Sequence, residues 1–197
     1  MKRFYVGTMG LFVIGFALVG CVHQPSGQTD AGWITLFDGS NLDSWSAVGK
    51  ANWRLEDGLL QADKGNGYLV SKNSYGDFQI RAEFWVDDGA NSGIFIRCAD
   101  PQKPGTSTCY EVNIYDKRPD PSYGTGAIVN YAKVSPMPKA GGRWNTMEIT
   151  AKGPHLLVVF NGTRTAEVQD SKHARGPFSI QYGAGIVKFR RVQIKPL

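Results

Sequence analysis

From Trp33 to the C-terminus, apolar and polar residues alternate in short runs that are separated by Gly, Asp and Asn residues. Alternation with a period of two is typical of half-buried β-strands, and no stretch keeps a helical period over several turns. The clearest runs are Phe78 to Val86, Gly93 to Cys98, Tyr110 to Tyr115 and Ile186 to Ile194. The pattern predicts an all-β domain.

Two dipeptides between these runs indicate tight hairpins. Asp57-Gly58 and Asn161-Gly162 combine residues that tolerate the positive φ angles of two-residue hairpin turns. With about ten strands in one domain, a sandwich of two sheets leaves fewer exposed edges than a single open sheet, so we expect a two-sheet sandwich. The one long loop, residues 116–142, is rich in Pro and Gly, and long ordered loops are often functional.

The N-terminal segment has the pattern of a secretory signal. A short basic start precedes an apolar run that ends at Gly20, and Gly residues interrupt this run too often for a transmembrane anchor. Its ending, LVGC, resembles a bacterial lipobox. We expect residues 1–20 to be a signal peptide, Cys21 to be lipidated, and residues 21–32 to tether the protein to a membrane. By the same resemblance, Val22 favours the outer membrane of the cell envelope.

The length and composition of residues 33–197 indicate one domain, which is long enough to bury a core. The formal net charge is +5, but Lys and Arg are scattered and form no basic stripe, so nucleic acid is not a predicted partner. No residue pattern points to a particular oligomeric state. In an oxidising compartment, Cys98 and Cys109 are expected to form a disulfide, the alternative being two unpaired thiols.

Strand alternation places several polar and aromatic side chains on the faces that point away from the core, because residues i and i+2 share a face. Aromatic rings beside amides, carboxylates and guanidinium groups are the mixture that sugar sites use. We therefore predict a concave carbohydrate-binding face; the alternative is a solvated outer surface. The residues in question are Arg81, Glu83, Trp85, Phe95, Arg97, Glu111, Asn113, Tyr115, Ser179 and Gln181.

Other kinds of site find little support. The chain has no GxSxG, HExxH or CxxC motif and no glycine-rich phosphate loop before a helix. The acidic turn Asp87-Asp88-Gly89, followed by Asn91, could hold calcium, but acidic turns without metal are commoner. Neither a metal nor another cofactor is therefore predicted.

An ordered set of segments resembles a known family. The segments are GWITLFDGSNLDSWS, NWRLEDGLLQA, YLVSKNSYGDFQIRAEF, NSGIFIR, YEVNIYD, TGAIVNY, RWNTMEI, FNG and IQYGAGIVKFRRVQIKPL. In this order they resemble the 3-keto-disaccharide hydrolase domain, formerly a domain of unknown function. The resemblance runs from about Gly32 to Leu197. It implies a concanavalin-like jelly-roll sandwich and action on glycosides whose sugar C3 is a ketone.

That chemistry suggests roles for the predicted face. A ketone at C3 acidifies the proton on C2, so a carboxylate can remove it while a cation stabilises the enolate. Glu111 or Glu83 is the candidate base, and Arg97 is the candidate enolate stabiliser. The candidate substrate-binding residues are Asn91, Ser92, Asn113, Tyr115, Asp116, Trp85 and Gln181.

Two alternatives remain open. An ordinary glycosidase needs two carboxylates that flank the scissile bond. The run from Glu111 to Asp116 resembles only faintly the ExDxxE motif of laminarinase-like jelly rolls, because Asn and Asp replace its later carboxyl residues. The second alternative is a lectin-like binding lipoprotein without turnover, since the sandwich fold hosts many binding modules.

Overall fold

The computed structural model describes Met1 and residues 31–197, and two antiparallel sheets form within residues 31–197. The predicted signal peptide and the lipidation of Cys21 lie outside the described residues. The strands are β1 (Ile34–Phe37), β2 (Trp45–Gly49), β3 (Arg54–Glu56), β4 (Leu59–Ala62), β5 (Gly67–Ser71), β6 (Phe78–Val86), β7 (Asn91–Ile96), β8 (Tyr110–Tyr115), β9 (Trp144–Lys152), β10 (His155–Phe160), β11 (Thr163–Gln169), β12 (Ser179–Ala184) and β13 (Val187–Pro196).

The larger sheet has eight strands and the smaller has five. The eight-stranded sheet runs in the order β11-β10-β9-β6-β13-β4-β3, and β1 also pairs with β13. The five-stranded sheet runs β2-β5-β12-β7-β8. Neighbours in space are often distant in sequence, which is typical of a sandwich with crossover connections. Within residues 31–197, no helix is long and apolar enough to cross a membrane.

The core lies between the two sheets and follows from the alternation of the strands. In β6 every second residue is buried, from Phe78 to Val86, and these side chains face the other sheet. Tyr110, Val112 and Ile114 of β8 do the same from the five-stranded sheet. Each buried aromatic ring contributes substantially, since truncating a buried Phe to Ala costs about 3 to 5 kcal/mol.

Both predicted hairpins are confirmed. Asp57 and Gly58 have φ angles of 53° and 71° between the paired strands β3 and β4. Asn161 and Gly162 have φ angles of 47° and 78° between β10 and β11. Two consecutive left-handed residues match the right-handed twist of the flanking strands, which is why these dipeptides mark the turns.

The predicted polar faces divide between the two sheets. Strand β6, with Glu83 and Trp85, belongs to the eight-stranded sheet, whereas β7, β8 and β12 belong to the five-stranded sheet. Outward-facing residues of the two sheets therefore lie on opposite sides of the sandwich. The single binding face that the alternation suggested does not include β6.

Candidate active site

A cavity of about 330 Å³ opens on the outward face of the five-stranded sheet. Its floor is formed by side chains of β7 and β8, and its walls come from the two loops that follow these strands. The floor residues are Asn91, Glu111, Asn113 and Tyr115; the wall residues are Thr106, Arg118, Tyr123, Val129 and Asn130.

Strand register explains why the floor residues converge. Glu111 lies opposite Phe95, Asn113 lies opposite Gly93, and Tyr115 lies opposite Asn91. The intervening residues of β8 are buried in the core, so the odd-numbered residues point outward. The strand alternation therefore placed Glu111, Asn113 and Tyr115 together on an outward face, as the structure does, and the pairing of β7 with β8 adds Asn91.

Glu111 is the titratable residue of this cavity whose pKa is shifted by its surroundings. Its side chain is largely buried, and burial raises the pKa of the carboxyl from 4.5 to about 7. The charged form loses its hydration when the group is taken out of water, which favours the protonated acid. A carboxyl that titrates near neutral pH in a cleft is the property of a general acid or base.

Gln181 of β12 extends the polar floor toward β5. Its amide Nε2 donates a hydrogen bond to the hydroxyl of Tyr68 at 3.3 Å. Its Oε1 is buried and has no hydrogen-bond partner among residues 31–197. Burial raises the pKa of the Tyr68 phenol, and the charge of Glu111 raises it further. Tyr68 therefore lies close enough to Glu111 to be affected by its charge. The structure thus brings Gln181 to the face that holds Glu111, as the strand alternation predicted.

The loop between β7 and β8 forms one wall and is closed by a disulfide. Cys98 and Cys109 are bonded across a sequence separation of 11 residues. The disulfide packs against Phe95, so it covers part of the outward face of β7. The loop that it closes carries Thr106 to the cavity. The bridge therefore holds a wall of the site as well as linking two strands.

The long loop after β8 forms the opposite wall. It runs beside β8, where Val129 N–H donates to the Glu111 carbonyl at 2.9 Å and Asn113 N–H donates to the Ala127 carbonyl at 3.0 Å. The loop thus extends the hydrogen-bonding of the last strand of this sheet. These hydrogen bonds hold the backbone of this wall against the floor strand.

Arg118 and Tyr123 on this wall were missed by the sequence analysis. The Arg118 guanidinium lies over the Tyr123 ring, 4.5 Å from its centroid, and both residues line the cavity. The contact is a cation–π interaction that holds an exposed cation in the wall of the cavity whose floor carries Glu111. The Pro- and Gly-rich composition of the long loop indicated that this segment could be functional, but it did not point to any particular residue.

Asp116 was predicted to bind substrate, but its carboxylate is occupied in holding the long loop. Oδ2 accepts hydrogen bonds from the Ala140 and Gly141 N–H groups at 2.7 and 2.9 Å. Oδ1 accepts a hydrogen bond from the Thr125 hydroxyl at 2.6 Å. The structure therefore assigns Asp116 to positioning the wall.

Arg97 does not lie beside Glu111, which corrects the prediction that the two share a face. Strand β7 ends at Ile96, and Arg97 has a φ of 53°, so the alternation stops one residue before it. Its side chain is 1% exposed and donates hydrogen bonds to the carbonyls of Gly76 and Gly153 and to Asp77. These partners lie away from the cavity, and the contacts are those of a structural hub.

Glu83 and Trp85 point outward from the eight-stranded sheet and are also corrected as members of the site. Glu83 accepts a hydrogen bond from the guanidinium of Arg190 at 2.6 Å. Trp85 lies under the ammonium group of Lys188, 5.2 Å from the ring centroid. Alternation assigns a residue to a face of its strand, but pairing between distant strands decides which sheet that face belongs to.

Ser92 is fully buried, so the prediction that it contacts substrate is wrong. Its hydroxyl donates a hydrogen bond to the Gln181 carbonyl at 2.7 Å. It alternates with Asn91 and Gly93 along β7 and therefore faces the core. No group of three or more His, Cys, Asp or Glu residues that could hold a metal ion occurs within Met1 and residues 31–197.

A family model described as the 3-keto-alpha-glucoside-1,2-lyase-like domain matches residues 32–195. The chain belongs to this family. The resemblance found in the sequence segments is thereby confirmed. The 3-keto-disaccharide hydrolase of Bacteroides thetaiotaomicron is 27% identical over 150 aligned positions, which cover 60% of this chain and 52% of that protein. The chain thus spans about half the length of this curated relative.

Solved structures show the same sandwich. A candidate glycosyl hydrolase of Parabacteroides distasonis has a TM-score of 0.78 at 18% identity, covering 88% of this chain and 98% of that chain. The carbohydrate-binding module CBM66 of Bacillus subtilis has a TM-score of 0.58 at 17% identity, covering 83% of this chain and 95% of the module. These likenesses show the fold alone, and the expected concanavalin-like sandwich is confirmed.

Proposed function

We propose that the protein cleaves glycosides whose sugar C3 is oxidised to a ketone, with Glu111 as the general base. One observation carries the proposal: a carboxyl with a pKa of about 7 lies on the floor of a cavity in a chain of this family. A base with a pKa near the working pH is available as carboxylate and is still basic enough to remove an activated proton.

The first step is removal of the proton on C2. The carboxylate of Glu111 takes the proton, and the electron pair of the broken C–H bond forms the enolate of the C3 ketone. The enolate then expels the C1 substituent as the C1–O bond breaks, which leaves a C1–C2 double bond conjugated to the ketone. The proton held by Glu111 can pass to the departing oxygen, so the carboxylate is regenerated.

Water completes the reaction. Its oxygen adds to C1, and a proton returns to C2, so the net change is hydrolysis of the glycosidic bond. Burial of the site strengthens each of these charge interactions, because the local dielectric is lower than that of water.

Arg118 replaces Arg97 as the proposed stabiliser of the enolate. It is the arginine that lines the Glu111 cavity within residues 31–197, and the ring of Tyr123 supports it. A cation placed where negative charge develops lowers the barrier by a few kcal/mol. The amide of Asn91 is the proposed partner of the sugar hydroxyls. The Asn113 amide instead holds the wall, because its Nδ2 donates a hydrogen bond to the Tyr123 carbonyl.

The second candidate is a carbohydrate-binding protein without turnover. It is favoured by the shared fold with a carbohydrate-binding module. The two candidates differ in what happens to a bound 3-keto glycoside. A binding protein leaves it intact, whereas the proposed enzyme breaks the C1–O bond and releases the C1 substituent.

The direct test is to incubate the purified protein with 3-keto-trehalose and with unoxidised trehalose and to follow both by mass spectrometry. Cleavage of the oxidised sugar alone is expected, because only the ketone acidifies C2. In D2O the released 3-keto sugar should carry deuterium at C2 beyond the level of an enzyme-free control. Cleavage without added deuterium would point to direct hydrolysis instead, and intact 3-keto-trehalose would favour the binding protein.

We further propose that the protein acts at the cell envelope as a lipoprotein anchored through Cys21, with residues 21–32 as the tether between the membrane and the domain. The lipobox-like LVGC segment motivates this location. Two or more acyl chains are needed for stable anchoring. The test is metabolic labelling with palmitate: the parent should be labelled and Cys21→Ser should not. Equal labelling of both would remove the anchor from the proposal.

A further inference from the structure

Three tryptophan rings lie on the outward face of the eight-stranded sheet, each beside a cation. The cation is 4.6 to 5.2 Å from the ring centroid in the three pairs, which are Arg81 with Trp33, Lys188 with Trp85, and Arg190 with Trp144. We call these six residues the tryptophan face. We propose that the tryptophan face docks on the surface of a membrane that contains anionic phospholipids. This role is additional to the proposed sugar cleavage and rests on the proposed anchoring through Cys21.

Strand pairing gathers these side chains into one patch. Trp85 of β6 lies directly opposite Trp144 of β9 on one side and opposite Lys188 of β13 on the other. Directly opposed side chains on one face are about 5 Å apart at their β-carbons. The Arg190 side chain lies over the Trp144 ring and pairs with Glu83 of β6. The centre of the patch is therefore continuous across three neighbouring strands.

This combination of side chains suits the boundary between lipid and water. A tryptophan has an apolar ring and one N–H donor, so it is favoured at the level of the lipid headgroups. Arginine and lysine lay their aliphatic stems on apolar surface and present the charged end to phosphate groups. The stacked cations also cover part of each ring, which leaves less ring surface for stacking on a sugar. A membrane therefore suits the tryptophan face better than a polysaccharide does.

The charge of this surface has the sign that anionic lipids require. Strand β13, Val187–Pro196, contains four cationic residues and no acidic residue. The carboxylates of two neighbouring residues, Glu83 and Glu148, pair with the two arginines of the tryptophan face. Lys188 and Lys195 of β13 form no ion pair with a carboxylate in the part of the chain that the structure describes. Each such lysine strengthens binding to an anionic surface about fivefold.

The chain enters the domain beside the same patch. Lys195 Cε is 3.3 Å from the position that a β-carbon at Gly32 would occupy. The next residue, Trp33, belongs to the tryptophan face. Residues 21–32 can span at most about 40 Å, because an extended chain advances about 3.5 Å per residue. A membrane that holds Cys21 is therefore within reach of the tryptophan face.

A tether makes even weak docking effective. Two sites joined by a short connection meet at an effective concentration in the millimolar range. The tryptophan face therefore needs only millimolar affinity to spend about half of its time on the lipid. The Glu111 cavity opens on the other sheet, on the opposite side of the sandwich. Docking would direct the cavity away from the membrane, where a dissolved sugar can reach it.

The test is sedimentation of the protein with vesicles. It uses residues 21–197 with Cys21→Ser, which is the proposed mature chain without its acyl chains. Mixed vesicles of phosphatidylethanolamine and phosphatidylglycerol should bind the protein, vesicles of phosphatidylcholine should bind it weakly, and added salt should release it. Lys188→Gln combined with Lys195→Gln should weaken binding to the anionic vesicles about tenfold or more. Thermal unfolding checks that this double variant is folded.

Lys72→Gln combined with Lys103→Gln is the matched control. It removes the same charge from two exposed lysines in the loops that follow β5 and β7 of the other sheet, and it should bind like the parent. An equal loss of binding in the two double variants would show attraction by net charge alone and would overturn the tryptophan face. The absence of binding to anionic vesicles would also overturn it. A dimer in size-exclusion chromatography that only the Lys188 and Lys195 variant abolishes would assign the patch to a second copy instead.

The tryptophan rings provide a second readout, which net charge alone does not move. Vesicles with brominated acyl chains should quench the tryptophan fluorescence of the bound protein, because rings at the headgroup level lie close to the chains. Trp144→Phe keeps the charge of the patch and should reduce the quenching. Binding without quenching would show that the rings do not reach the lipid and would overturn the tryptophan face.

Vesicle binding is measured without a sugar, so its outcome is separate from the proposed catalysis. It is also separate from the anchor. Palmitate labelling of the parent without vesicle binding by the Cys21→Ser chain would retain the anchor and overturn the tryptophan face. Vesicle binding without palmitate labelling would retain the tryptophan face and remove the anchor.

Discussion

The carboxylate of Glu111 lies across Gly93 of the neighbouring strand, with Oε1 3.4 Å from the position that a β-carbon at Gly93 would occupy. The Phe95 ring and the Val112 carbonyl stand 3.3 Å from the same position. A side chain at Gly93 would therefore crowd the Phe95 ring and the Val112 carbonyl and would touch the carboxylate of the proposed base. The glycine leaves the space in which the Glu111 side chain is held.

Gly93→Ala should lower kcat/KM about tenfold or more, because small displacements of a catalytic group cost large factors in rate. The added methyl group should cost about 1 to 3 kcal/mol of stability through overpacking. Steady-state kinetics on 3-keto-trehalose, with thermal unfolding as the folding check, would measure both effects. Gly105→Ala is the control, since a β-carbon there meets nothing within 4 Å. Unchanged kinetics in Gly93→Ala would show that the added methyl group does not displace the Glu111 carboxylate.

Replacing the proposed base itself should lower the rate more than Gly93→Ala does. Glu111→Gln keeps the shape of the side chain and removes its basicity, so kcat should fall about 100-fold to 10,000-fold. Glu83→Gln is the matched control on the opposite side of the sandwich, where the carboxylate pairs with Arg190. That variant should keep the parent rate and lose at most about 1 kcal/mol of stability. The reverse result would restore Glu83 as the base.

The raised pKa of Glu111 predicts a pH profile for activity. The base must be ionised, so kcat/KM for 3-keto-trehalose should rise with pH up to about 7 and level off above it. The profile is measured between pH 5 and 9 in buffers of constant ionic strength. A profile that is nearly flat from pH 5 upward, as expected for a Glu with the ordinary pKa of 4.5, would show that the acting base is not buried Glu111.

The stability of the fold should also depend on the ionisation of Glu111, but it should fall over the pH range in which activity rises. A carboxyl whose pKa is raised in the folded state binds more protons there than in the unfolded chain, so stability falls as pH rises from about 4.5 to about 7. Glu111→Gln should therefore be more stable than the parent at pH 8, by on the order of 2 to 3 kcal/mol, and should show no such gain at pH 4. Urea unfolding at the two pH values measures the difference.

The sequence could predict the floor of the site because β8 is regular. Alternation along an unbroken strand puts Glu111, Asn113 and Tyr115 on one face whatever the rest of the fold does. It could not place Arg97, because a single left-handed residue after β7 turns the side chain away, and no turn dipeptide marks that position. Alternation is a local property and fails at the first irregular residue.

The sequence pattern could not predict sheet membership or loop conformation, because both depend on contacts between residues that are far apart in sequence. Glu83 has the alternation of an outward residue, and it is one, but its strand pairs with β9 and β13, far away in sequence. Arg118 lies in a loop with no period to interpret. Its place beside the cavity depends on hydrogen bonds that Asp116 makes to residues more than twenty positions later.

The disulfide predicts a link between redox state and substrate binding. Closing a loop of this length contributes about 3 kcal/mol to stability. The loop also carries Thr106 into the cavity, so Cys98→Ser with Cys109→Ser should raise KM for 3-keto-trehalose as well as lower the melting temperature. Mass spectrometry after alkylation without reductant should find neither thiol free in the parent. A double variant with lowered stability but unchanged KM would limit the bridge to a structural role.

Arg97 provides the sharpest contrast between what the sequence suggested and what the structure shows. An arginine that stabilises the enolate could be replaced by Met with loss of turnover and little loss of stability. In the structure its guanidinium donates to three backbone carbonyls and to Asp77, at distances of 2.7 to 3.3 Å. Removing it leaves buried acceptors unpaired, and breaking a buried charged network by removing one partner costs about 3 to 5 kcal/mol.

Arg97→Met should therefore lower the free energy of unfolding by about that amount, measured by urea denaturation. Asp77→Asn is the matched control, because the amide oxygen can still accept from Arg97 and from the Gly153 N–H, and Asp77 is 42% exposed. It should cost less than about 1 kcal/mol. Where Arg97→Met remains folded at low temperature, its kcat should stay near that of the parent, since Arg118 and not Arg97 lines the cavity. A stable, folded Arg97→Met protein without turnover would return Arg97 to the reaction.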